Sequence, residues 1–75
     1  MPPFRWTPEQ MDRLEAAVRQ NLRVAVVRRG VEFIVVAKRL ATVNGKEGFV
    51  GLLPMTGEER TFTLSELDAF QVVRL

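Results

Sequence analysis

Seventy-five residues make one small domain, close to the lower limit of what folds alone, with no length for a second. The chain has no cysteine and no histidine, which excludes a disulfide framework and a Cys/His zinc staple, so stability has to come from packing or from self-association. Hydrophobic residues make up 47% and charged residues 27%, the balance of a globular protein, and the net charge is +2.

That charge is unevenly spread. Residues 1 to 18 carry a balance of −1, residues 19 to 46 of +6 and residues 47 to 75 of −3. A dipolar layout of this kind suits a basic face for an anionic partner, or two complementary patches that join copies of the chain. The longest apolar run, Phe33 to Ala37, is far short of the ~20 residues of a membrane helix, and Met1 to Trp6 has no signal-peptide pattern; a cytoplasmic location is the expectation.

Residues 1 to 6 read as an N-terminal arm, with Pro2 and Pro3 opposing regular structure, and residues 7 to 75 as a single domain. A helix follows over about residues 7 to 20. Thr7 is its N-cap, Pro8 suits the first helical position, Gln10 stands where a capping-box partner belongs, and Trp6 and Met11 occupy the two staple positions. Met11, Leu14 and Val18 recur at helical spacing beside Ala17, so one face docks, and Asn21 takes the left-handed conformation that ends the helix.

Two strands, Arg23 to Arg28 and Val31 to Leu40, meet at Arg29 and Gly30. A two-residue turn pairs Val26 with Phe33 and Val24 with Val35; a three-residue turn with a bulge at Gly30 shifts that register by one. Both faces of the hairpin are partly apolar, which calls for a barrel interior on one side and a helix or neighbour on the other. Asn44 and Gly45 mark a turn within the polar stretch Thr42 to Glu47. A third strand runs from Gly48 to Leu53, with Gly51 at a bulge or bend, and Pro54 stops it. After a turn at Thr56 and Gly57, a fourth strand spans Arg60 to Leu64, Ser65 to Asp68 form one helical turn capped by Ser65, and Ala69 to Arg74 supply the last strand.

One helix, then five strands with a helical turn between the fourth and fifth, resembles the Sm-like version of the small SH3-like barrel. The expected fold is therefore mainly β, an N-terminal helix before a five-stranded antiparallel barrel. Arg60-Thr61-Phe62-Thr63-Leu64-Ser65-Glu66-Leu67 is similar to the closing segment of WYL domains, an Sm-like family of bacterial transcriptional regulators. Arg60, Phe62, Leu64 and Leu67 match its pattern, while Thr63, Ser65 and Glu66 stand where the family carries arginine, aspartate and arginine. What the resemblance implies is the barrel.

Catalytic chemistry is poorly supplied. Without histidine, cysteine or tyrosine, Ser65 has no evident base, and Lys38 and Lys46 read as solvated amines. Glu58 and Glu59 sit in a turn, Glu66 and Asp68 flank Leu67, and none belongs to a calcium-loop pattern. Asn44-Gly45-Lys46-Glu47-Gly48 joins strands instead of opening a helix, so it lacks the amide fan of a phosphate loop. The expectation is a protein that is not an enzyme and uses no cofactor or metal. The candidate binding residues are Arg23, Arg28, Arg29, Lys38 and Arg39, for an acidic protein surface or nucleic acid. Phe33 is the only aromatic of the basic stretch that holds them, and it reads as core; Phe4 and Trp6 are the other candidates for base stacking. A protein partner or a second copy is the leading reading, supported by the outward apolar residues Ala25, Val27, Ile34 and Val36. Nucleic-acid association is the alternative.

Overall fold

Thr7 opens the helix: its backbone is extended, and its hydroxyl accepts a hydrogen bond from the Gln10 amide at 3.2 Å. In the computed structural model, which describes residues 5–73, helix α1 spans Pro8–Gln20. Only half of the expected capping box forms. The Thr7 amide donates to the Arg5 carbonyl, and the Gln10 side-chain oxygen is buried without a partner among the described residues. Asn21 ends the helix in the left-handed region at φ 51°, and its Nδ2 donates to both the Val18 and Ala37 carbonyls, tying the helix terminus to the sheet.

Five antiparallel strands follow: β1, Arg23–Arg28; β2, Val31–Val43; β3, Lys46–Leu52; β4, Glu59–Thr63; and β5, Leu67–Val73. Leu64–Glu66 form a 3-10 turn between the last two. Arg29 and Gly30, at φ 52° and 78°, make the two-residue turn, with Val26 opposite Phe33 and Val24 opposite Val35. Asn44 and Gly45 repeat that geometry at φ 51° and 77°. Because this second turn is also only two residues long, Thr42, Val43, Lys46 and Glu47 are ladder residues and not the loop that their polarity suggests.

The long strand β2 changes partner along its length, pairing with β1 over Val31–Val36 and with β3 from Val36 onward. The β2–β3 register slips at Lys38, opposite Gly51 and Val50, so the bulge lies on β2 and not at Gly51. Gly51 is needed for a different reason. A Cβ there would stand 2.5 Å from Val35 Cγ2, so the side chain of Val35 on the adjacent strand β2 occupies that space. Ser65 also departs from expectation. It is exposed inside the 3-10 turn, whose N-cap is Thr63, and that cap makes no side-chain hydrogen bond.

Strand order is β4-β3-β2-β1-β5. The expected closed barrel is not formed, because β4 and β5 share no ladder and remain the two edges of an open sheet. Side chains bridge that seam in place of backbone hydrogen bonds. Trp6 packs at a 45° tilt against Phe70 of β5 with ring centroids 5.1 Å apart and donates to the Leu64 carbonyl beyond β4, while Arg28 of β1 lies over Phe62 of β4. Val24, Val26, Val35, Ala37, Phe49 and Phe62 are fully buried on the core face, and Leu14 and Ala17 of α1 join the same cluster. Met11, Val18 and Trp6 pack against it from partly buried positions. The helix thus covers the core face, and the opposite face of the β1–β2 hairpin is left to itself.

Candidate binding surfaces

Alternation along the strands divides the five predicted basic residues between different places. Arg23 lies on the outer face, opposite Val36 and Val73, and is exposed. Lys38 occupies the bulge. Arg39 is exposed and donates from Nη2 to Glu59 of the same chain at 3.3 Å. Arg28 belongs to the core face and Arg29 to the hairpin turn. No single patch gathers all five.

On the outer face, Ala25 stands opposite Ile34, Arg23 opposite Val36 and Val27 opposite Glu32. Ala25, Val27 and Val36 are half-buried and Ile34 is 39% exposed; none of the four belongs to the core cluster. They form an apolar stripe with a charged margin of Arg23, Glu32 and Lys38. On either side the sheet ends in β4 and β5, each hydrogen-bonded on one flank only.

A second grouping lies at the end of the core face near the Arg29–Gly30 turn. The Arg28 guanidinium carbon is 5.5 Å from the centroids of both the Phe33 and Phe62 rings, and that of Arg60 is 5.7 Å from Phe33. Phe33 and Phe62 are themselves 5.4 Å apart, and Phe49 extends the aromatic row inward at the same spacing. Arg60 also holds Glu58 at 2.9 Å. Phe33 is therefore a half-buried rim residue and not a fully enclosed core side chain. Arg60 was missed as a site residue in the sequence because Thr61, Thr63 and the acidic pair Glu58-Glu59 surround it, and only the fold sets it beside a residue of β1.

Among the described residues no group of acidic side chains is placed to hold a metal ion, and no helix is long and apolar enough to cross a membrane. Phe4, a candidate stacking residue, and Arg74, the predicted end of the last strand, lie outside the described residues. No known protein family, curated protein or solved structure matches the chain.

Proposed function

We propose that this chain is a non-enzymatic binding module of the small Sm-like type, opened along one seam, that works through protein contacts and first of all through a second copy of itself. The observation that carries this reading is the outer apolar stripe of Ala25, Val27, Ile34 and Val36, which the helix leaves uncovered. Burying such a stripe contributes roughly 25 cal/mol for each Å² of apolar surface removed from water, and the flanking edges offer backbone groups to an added strand. A cleft of about 880 Å³ between α1 and β5 has Arg13 and Arg23 as its titratable groups among the described residues and so offers a surface for contact without an acid–base pair. Light scattering from micromolar to millimolar concentration tests the reading. A mass above that of the monomer is expected, reverting to monomer in Ile34→Lys; a concentration-independent monomer overturns self-association.

Nucleic-acid binding is the second reading, favoured by the +6 balance of residues 19 to 46. It requires binding that weakens steeply with salt and a salt slope that falls by roughly one for each phosphate-contacting arginine removed.

A further inference from the structure

The Arg28 guanidinium is partly buried against two rings, yet among the described residues it has no carboxylate or carbonyl acceptor. Burial of a planar, permanently charged group with five N–H donors is tolerated on an aromatic face, but the donors at its edge still need acceptors. Arg60 brings a second guanidinium to the same ring of Phe33 and is itself paired with Glu58. Arg29 follows in the turn and Asp68 lies in the irregularity of β5 beside Arg28, yet of these three arginines only Arg60 forms an ion pair among the described residues. Arg28 thus keeps its guanidinium on the aromatic row with its hydrogen-bonding capacity free for a ligand.

We infer that Arg28 and Arg60 form a carboxylate-recognition site for an acidic segment of a partner protein. A guanidinium fork matches the two oxygens of a carboxylate, and Phe33 beneath it restricts the fork to one orientation. Val31, opposite Arg28 and 54% exposed, adds an apolar contact for the partner's main chain or a neighbouring side chain. A nucleic-acid strand is the poorer fit. Its bases need free aromatic faces, but Phe33 is overlaid by two guanidiniums, Phe49, Phe62 and Phe70 are buried, and Trp6 is engaged with Phe70 and Leu64. The inference rests on the reading of the chain as a protein-binding module, but not on self-association, since it concerns the opposite face of the hairpin.

The test is fluorescence anisotropy at low salt with a labelled peptide alternating glutamate and serine, its glutamine counterpart and an oligothymidylate, run on the wild type and on Ile34→Lys so that oligomer loss is read separately. The glutamate peptide is expected to bind, the glutamine peptide to bind at least about tenfold more weakly, and Arg28→Gln to remove a similar factor while Arg13→Gln leaves affinity unchanged. Arg28→Lys, which keeps the charge and the packed stem without the fork, covers the case in which Arg28→Gln fails to fold and is expected to weaken binding as well. On the wild type, the arginine Nε–H resonances of Arg28 and Arg60 should shift with the glutamate peptide. Equal binding of the two peptides, equal loss in Arg13→Gln, unmoved Arg28 and Arg60 resonances, or an Arg28 dependence confined to the oligothymidylate each overturns the assignment.

Discussion

The indole N–H of Trp6 donates to the carbonyl of Leu64 at 2.8 Å, joining positions 58 apart in the chain. This bond fastens the segment before α1 to the turn between β4 and β5, beside the seam that no ladder closes. Trp6→Phe retains a ring that can pack on Phe70 and deletes the donor, leaving the Leu64 carbonyl with the Leu67 amide alone. The expected cost is about 0.5–1.5 kcal/mol. Urea unfolding followed by far-ultraviolet circular dichroism measures it without relying on indole fluorescence, and an unchanged midpoint would mean that the contact does not hold the seam.

Leu14 is completely buried and is the largest helix side chain in the core. Replacing it by alanine should cost about 2–5 kcal/mol, a large fraction of what so small a domain possesses. Gln10, one turn earlier, should behave in the opposite way. Its side-chain oxygen is buried and has no partner among the described residues, so Gln10→Leu removes an uncompensated polar atom and should leave stability equal or raise it. Thermal melts of the two variants separate the docked face from the imperfect cap, and a loss below half of the lower Leu14 figure would contradict the docking.

Arg29 is a residue with a Cβ in the left-handed region, at φ 52°, where asparagine is tolerated better. Arg29→Asn should therefore stabilise the hairpin by up to about 1 kcal/mol, matching the Asn44-Gly45 pair at the next turn. A higher denaturation midpoint is the expected result, and a lower one would show that the arginine side chain itself contributes to folding.

The positions of the two turns are legible in the sequence because their chemistry is local: Arg29-Gly30 and Asn44-Gly45 interrupt β-rich runs with residues suited to positive φ, whereas the register at Arg29-Gly30, left open between a two- and a three-residue turn, is fixed only by the pairing of β1 with β2. Helix limits were equally readable, since Thr7, Pro8 and Asn21 act on backbone groups within one turn of themselves. The bulge at Lys38 carries no such mark, because it answers to the pairing of two strands whose register is fixed elsewhere. Nor does anything in β4 or β5 announce that they stay apart. The candidate site divides along the same line. Arg28 was visible as a charge at a hairpin tip, but its place over Phe33 and Phe62, and the arrival of Arg60 beside it, depend on β4 reaching across the core.

Gly48 and Gly51 lie three residues apart in β3 and face different obstacles, which makes them a paired test of how closely β3 is crowded by its two neighbouring strands. A Cβ on Gly51 would meet side-chain atoms of Val35, at 2.5 Å from Cγ2 and 2.9 Å from Cβ, whereas one on Gly48 would run into the backbone carbonyl of Phe62 on the adjacent strand. Gly51→Ala should destabilise by about 1–3 kcal/mol through overpacking, and trimming the obstacle in the double variant Gly51→Ala with Val35→Ala should recover part of that loss relative to additive single effects. No side-chain truncation relieves Gly48→Ala, since its obstacle is main chain. It should unfold at lower urea than Gly51→Ala and show no coupling to Val35→Ala. Equal, additive behaviour of the two alanines with Val35→Ala would show that Gly51 is not pressed against Val35 and that the interior behind Phe33 and Phe62 is looser than the close contact of these residues requires.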